Sequence, residues 1–433
     1  MWTSTSNKPA ADRRASSRPD AHVAAALPIK SAFRLILLLA VLSHCEGQDW
    51  LDKVEDHLNV KSRDGFFRSD LTVYLDLEGY YMDQRPPGLL YENDSFINPR
   101  STFFVDTELG KHFYSLIQAR VDRGFDPGAK SGTDARMDEY LLRWTPFDRD
   151  IVSLQFGKFA TVVGNWVSRH DTWQNPLITP PLPYEIITTI SDGKPPASPA
   201  EFLARRPMPV QKDEWVPVIW GPAYTTGWAL FGSVSKFDYG FEIKNASVAS
   251  HPDEWEINDA GWSYPNFAGR LGFRPSPAWN HGVSFSYGTY LYSEAQPYLS
   301  PGKSLSDYNE INIAYDVSYA WHRWQFWGEV FLTRFEVPNV GNADVLSYYL
   351  EAKYKITSNL YVAARWNQQI FGSIADGAGG RQTWGNDTIQ VDVALGYRFT
   401  RHLQAKVQYS FNHRDAALQQ GEQLVAGQVT LKF

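Results

Sequence analysis

From residue 67 onward, apolar and polar positions alternate along the chain in a succession of short segments. In 67–82, Leu71, Val73, Leu75, Leu77 and Tyr81 share one face, and Thr72, Tyr74, Asp76 and Glu78 the other. In 387–399, Ile389, Val391, Val393, Leu395, Tyr397 and Phe399 oppose Thr388, Gln390, Asp392 and Arg398. The final stretch, Leu424 to Phe433, sets Val425, Gly427, Val429, Leu431 and Phe433 against Ala426, Gln428, Thr430 and Lys432. Period two with one apolar and one polar face is the pattern of a strand between two different environments. Carboxylates inside a strand are disfavoured in ordinary sheets; they suit a face that lines water.

The pattern predicts sixteen strands: 67–82, 101–110, 113–125, 136–146, 151–161, 223–234, 238–248, 266–276, 279–292, 309–321, 324–336, 345–356, 360–371, 387–399, 402–414 and 422–433. The number is even, and most segments are close to what a tilted strand needs to cross an apolar layer. Even–odd neighbours are joined by roughly two to four residues, as expected of tight turns, for example at Pro277-Ala278 and His322-Arg323. Odd–even connections are longer: 83–100, 126–135, 162–222, 249–265, 293–308, 337–344, 372–386 and 415–421. Loops sorted by parity describe a closed barrel with tight turns at one end. The last strand then pairs back onto the first and leaves no free edge. The expectation is an all-β, 16-stranded antiparallel transmembrane β-barrel over 66–433, with both ends of the ladder on the short-turn side.

Composition agrees with that reading. Aromatic residues make up 15% of the chain, with 23 Tyr, 25 Phe and 16 Trp, yet mean hydropathy is −0.37. A barrel wall that faces water on one side combines these two properties. Residues 1–29 are polar and without period, and are expected to be a disordered N-terminal extension. In 30–47, Lys30 and Arg34 precede the apolar run Leu35–Leu42, and Ser43-His44-Cys45-Glu46-Gly47 follows. This is the pattern of a signal peptide, too short to span a bilayer. Taking residues 1–47 away removes six basic and three acidic groups, leaving 35 Lys and Arg against 45 Asp and Glu. That balance carries no basic footprint for nucleic acid. It also removes the single Cys, so disulfides and thiol chemistry are excluded. In 48–65, Trp50, Leu51, Val54 and Leu58 fall at helical spacing. They fit a short amphipathic turn or two, at the near mouth or inside the lumen.

The connection 162–222 is far longer than a structural linker needs to be. It is rich in Pro, carries Trp166, Trp173, Trp215 and Trp220, and holds charges of both signs, among them Arg169, His170, Asp171, Arg205 and Arg206. It is the third long loop of the count. Just before it stand Glu139-Tyr140-Leu141-Leu142-Arg143-Trp144-Thr145-Pro146-Phe147 and Gln155-Phe156-Gly157-Lys158-Phe159. With these residues the chain resembles bacterial outer-membrane porins, of the general trimeric and phosphate-selective kind, where a Pro-Phe turn leads into a Gly-Lys-Phe strand end. The Pro-Phe-Gly often found next is missing, and no Lys or Arg ladder suggests phosphate selectivity. The resemblance implies a third loop folded inward as a constriction, a multi-pass protein of a Gram-negative cell outer membrane, and a homotrimer. It further implies passive diffusion of small hydrophilic solutes, contact with outer-membrane lipid, and use of Phe433 as the signal read by the barrel-assembly machinery. A sugar- or anion-specific channel and a non-conducting, surface-binding anchor are the alternatives.

The polar strand faces supply the other candidate pore residues. Arg120, Arg143, Arg270, Arg274, Lys353, Arg365, Arg398 and Lys406 are mixed with Asp76, Glu78, Asp122, Glu139, Glu242, Asp316, Glu329, Glu351 and Asp392. Opposed charges across a narrow lumen order water and disfavour apolar solutes; the same groups equally suit a solvated wall or ion pairs that brace the loop. The constriction set drawn from them is Arg120, Glu139, Arg143, Glu351, Lys353, Arg365, Asp392 and Arg398, with Arg169, His170, Asp171, Arg205 and Arg206 from the loop. No catalytic set accompanies them. His170-Asp171 has no Ser in a strained-turn motif, and the histidines show no metal-ligand spacing. No enzyme activity, cofactor or metal is expected.

Overall fold

In a computed structural model the described residues are 47–84, 90, 95–124, 132–206, 215–251, 262–416 and 420–433. The expected extension 1–29 and all but the last residue of the expected signal peptide, Cys45 included, lie outside them. A helix α1 (Gly47–His57) comes first. Sixteen strands follow: β1 Phe67–Met82, β2 Ser95–Leu109, β3 Phe113–Asp122, β4 Asp134–Trp144, β5 Ser153–Phe159, β6 Thr225–Val234, β7 Phe237–Lys244, β8 Asn266–Phe273, β9 Trp279–Thr289, β10 Asn309–Trp321, β11 Trp324–Val337, β12 Gly341–Lys355, β13 Leu360–Phe371, β14 Thr388–Arg398, β15 Leu403–Arg414 and β16 Gly421–Lys432. Each pairs antiparallel with its sequence neighbour, and β16 pairs with β1 from Leu424↔Met82 to Lys432↔Tyr74. The sheet is a closed barrel, as the alternation predicts.

Period two sorts the side chains. Along β14, Val393, Leu395 and Tyr397 are exposed on the outer face, while Gln390, Asp392 and Ala394 are buried on the inner one. The seam is held on the inner face by the Thr430 hydroxyl donating to Asp76 (2.5 Å) and the Gln428 amide donating to Glu78 (2.7 Å). At its end Val73 N–H donates to the Phe433 carbonyl at 2.6 Å, and Phe433 N–H returns a bond to Val73 O at 3.1 Å. Beyond that pair, Asn59–Lys61 continues the ladder along the first residues of β1. The α1 helix is tied to the β14–β15 turn, where Asp52 meets Arg401 Nη2 and His402 Nε2, both at 2.6 Å.

Gly157 explains one of the motifs noted in the sequence. Its φ is +138°, and a Cβ there would lie 2.1 Å from the Tyr140 carbonyl, so only glycine allows β4 and β5 to approach this closely.

Of the boundaries that differ from the expectation, two have a clear local cause. β2 begins at Ser95, inside the expected loop 83–100, and runs through Pro99 opposite Leu77. Its other neighbour, β3, joins only from Ser101, so Pro99 lies on a stretch paired on one side, where a missing N–H is tolerated. The expected long connection 337–344 is a tight turn over 338–340: Val337 pairs with Gly341, and Asn339 takes φ 62°. Its Pro, Asn and Gly are turn residues rather than loop residues.

The apolar core lies between the connection 162–222 and the inner face of β10–β13. Tyr184, Phe202, Val216, Val218 and Ile219 pack with Phe331, Phe335, Tyr349 and Trp384. Phe202 belongs to a short helix, α2 (Pro199–Ala204), capped by the Ser198 side chain.

Deleting Phe433 removes the hydrogen-bonded pair with Val73 and should lower the yield of folded barrel without affecting synthesis. The measurement is the fraction of protein whose gel migration in detergent changes on boiling; an unchanged fraction would show that the seam closes without this pair.

Candidate functional site

Residues 161–184 run along the inner face of the barrel and bond to it strand after strand. Thr161 donates to Glu242 of β7 at 2.6 Å, and Gly164 N–H to Ser284 of β9 at 3.3 Å. Glu329 of β11 accepts from three groups: Asn165 N–H, Trp166 N–H (2.6 Å) and the Tyr184 hydroxyl (2.5 Å). Arg169 donates to Glu351 of β12 at 2.6 Å and to the Tyr349 hydroxyl at 3.2 Å, with its guanidinium over the Trp327 ring. Arg365 of β13 gives Nη2 to the carbonyls of Thr179 (3.1 Å) and Pro180 (2.8 Å) and is flanked by Glu351 and Asp392. Lys406 of β15 donates to the carbonyls of Thr172 (2.6 Å) and Asn175 (2.7 Å). Thr172 then reaches Asp76 of β1 at 3.2 Å. Wall charges and loop carbonyls, carboxylates and amides thus serve as one another's main partners, as buried polar groups require.

Gly164 makes the Glu329 contact possible. Its φ is +81°, and a Cβ there would lie 2.3 Å from the Tyr184 hydroxyl. Any larger residue displaces that hydroxyl from the carboxylate.

The arrangement leaves a cavity of about 430 Å³ between this segment and the inner face of β1–β4. It extends from Asp106, near the short-turn end of β2, to Gly124, past the long-loop end of β3. Its wall carries a charge network. Arg100 bonds to Asp76 (3.3 Å) and to Glu78; Arg136 bonds to Asp138 (2.9 Å) and Asp122 (3.0 Å); Arg120 meets Asp138 at 3.0 Å. The opposite side is built from loop residues that include His170, Asp171, Thr172 and Glu185.

The sequence-predicted residues divide between two places. Arg120, Glu139, His170 and Asp171 line the cavity. Arg169, Glu351, Arg365 and Asp392 are buried together on the far side, where the loop seals against β12–β14. Lys353 lies over the Tyr361 ring and Arg398 over Trp173. Arg143 lies over Tyr114 and Phe231 and donates to Gln155. Arg205 reaches the Thr189 and Lys194 carbonyls beside α2, and Arg206 borders a small space with Trp215 and Phe371. Arg274, expected on the inner face, lies past the end of β8 and is exposed. His170 donates Nδ1–H to the Val167 carbonyl (2.5 Å) and accepts at Nε2 from the Tyr224 hydroxyl (2.6 Å). Burial holds its imidazole below the ordinary value, so it is neutral near pH 7 and adds no charge to the cavity. Asp52, Glu55 and His402 bring ligand atoms together outside the barrel, but the Arg401 guanidinium bonds to both carboxylates.

Three residues of the cavity wall escape a reading by alternation. Between Gln118 and Ala119 the pairing with β4 skips Asp138, a β-bulge. The bulge reverses the parity of β4, so Arg136 and Asp138 turn inward where strict period two sends them outward. Arg100 fell within the expected loop that ends at β2.

No family model matches this chain, and no curated protein matches it. Solved structures do. The anion-selective porin from Comamonas acidovorans aligns at 11% identity with a TM-score of 0.54, over 85% of this chain and 100% of that one. The outer membrane channel DcaP of Acinetobacter baumannii aligns at 10% identity with a TM-score of 0.55, over 86% and 99%. Salmonella typhi OmpF, in complex with daunomycin, aligns at 11% with a TM-score of 0.52, over 86% and 100%. At such identities the likeness is one of fold: the overall barrel is shared with these porins and channels.

Replacing Glu329 by Ala leaves two backbone N–H groups and the Tyr184 hydroxyl without their acceptor, at a cost of about 3 kcal/mol. Limited proteolysis of the folded barrel should then cut within 162–222 faster than in the parent, with Glu329→Gln in between. Equal protection of parent and alanine variant would show that this carboxylate does not hold the segment.

Proposed function

We propose that the protein is a passive channel of the outer membrane, through which small hydrophilic solutes or ions diffuse along the inner face of β1–β4. In this reading residues 162–222 are an inward-folded constriction loop. The observation that carries it is the cavity itself, a space with a charged strand wall running beside four strands of a barrel whose remaining interior is packed by the loop. A wall of paired Arg, Asp and Glu holds ordered water along one side of that space, which favours a hydrated solute. The outer face supports the membrane assignment, since a girdle of Trp, Tyr and Phe such as Trp228, Trp279 and Trp321 is exposed there and suits lipid.

In the same reading the protein acts as a channel and not as an enzyme. It makes Phe433 the residue read by the assembly machinery, and it groups three copies as in the trimeric relatives the sequence resembles.

Purified protein in a planar bilayer should give stepwise current openings. Shortening 176–214 should raise the single-channel conductance and relax size exclusion, because the deleted residues include the Thr179 and Pro180 carbonyls held by Arg365. Equal conductance in the shortened form would show that the loop does not limit the passage.

A further inference from the structure

We infer that the passage beside β1–β4 selects cations; this rests on the channel reading above and adds the sign of the solute. Seven carboxylates and four cationic side chains line the cavity, an excess of three negative charges. The arginines all stand on the strand wall, and each is already held there: Arg100 by Asp76 and Glu78, Arg136 by Asp122 and Asp138, Arg120 by Asp138. A passing anion meets guanidinium groups whose charge is neutralised, and the fourth cation, Lys432, lies over the Tyr74 and Trp173 rings.

The loop side contributes carboxylates and no Arg or Lys to the lining. Asp171 accepts the N–H groups of Trp173 and Gln174, both at 2.8 Å. On the wall, Asp106 accepts the Tyr114 hydroxyl. These donors are neutral, so both carboxylates keep their full charge toward the space between them. Among the described residues neither has a cationic side chain within ion-pair distance. A narrow cleft of one sign between low-dielectric walls concentrates counter-ions, and rings of Asp and Glu are how cation pores are built. The sixteen-strand fold does not fix the sign, since an anion-selective porin shares it; the lining does.

The test is the zero-current potential of the full-length folded protein in a planar bilayer, with roughly 0.01 M KCl against 0.1 M, where the Debye length is about 30 to 10 Å. The expected potential has the potassium sign, with a several-fold preference over chloride that fades near 1 M salt, where screening acts within about 3 Å. Asp106→Asn and Asp171→Asn, singly and together, keep an acceptor oxygen for Tyr114 and for the loop turn. The double variant should lose at least half of the preference. Equal or greater chloride permeability in the parent overturns the inference and leaves the channel reading intact. A folded barrel that never conducts overturns both. An unchanged ratio in a double variant that shows the parent's gel shift overturns the assignment to these two carboxylates.

Discussion

The structure depends on the seam between β1 and β16. In an apolar surrounding every backbone N–H and C=O needs a partner within the protein, and a sheet meets that demand only by closing on itself. The ladder from Leu424↔Met82 to Lys432↔Tyr74 does so, and the Val73–Phe433 exchange completes it. Once the sheet is closed, each strand has one face outside and one inside. The alternation along the chain becomes a radial division, with Val, Leu and aromatic residues outward and Asp, Glu, Arg and Gln inward.

That division sets a second demand. A charge on the inner face stays hydrated only where water remains; where protein covers it, it has to be paired. Arg365 between Glu351 and Asp392, and Lys406 beneath three loop carbonyls, meet this demand by gripping the residues that cover them. The loop's course is therefore written in the wall. It crosses where wall side chains bond to its own groups, from Glu242 on β7 to Lys406 on β15, and it leaves a space along β1–β4.

Alternation together with the parity of the connections was enough to read the sixteen strands, because the inner and outer environments differ along most of their length; Thr225–Val234 alternates least clearly. It failed where geometry broke the period. The skip at Asp138 leaves no mark in residue types, and Pro99 reads as a loop residue unless one knows that its second neighbour starts at Ser101. Which inward charges face water was less legible still. Glu351, Arg365 and Asp392 look in sequence like Glu78, Arg120 and Asp122, and only the path of residues 161–184 separates the sealed group from the one around the cavity. The aromatic content of the whole connection 162–222 did signal burial: Trp166, Trp215 and Trp220 are each buried.

Closing the ring also has a kinetic side. The bond between Thr430 and Asp76 joins residues 354 apart in sequence, whereas each hairpin joins near neighbours. By loop-closure entropy, at about 0.6 kcal/mol per doubling, spanning that distance costs ~4 kcal/mol more than a tight turn. Fifteen pairings between sequence neighbours can therefore form before the sixteenth. The chain then passes through an open curl in which β1 and β16 both present bare edges, each able to pair with any other strand. The Arg401 and His402 contacts to Asp52, on a helix that precedes β1, bridge an almost equal span, with Arg401 and Asp52 349 residues apart. By bringing the first strand's lead-in to the β14–β15 turn, they shorten the search of the two free edges for each other.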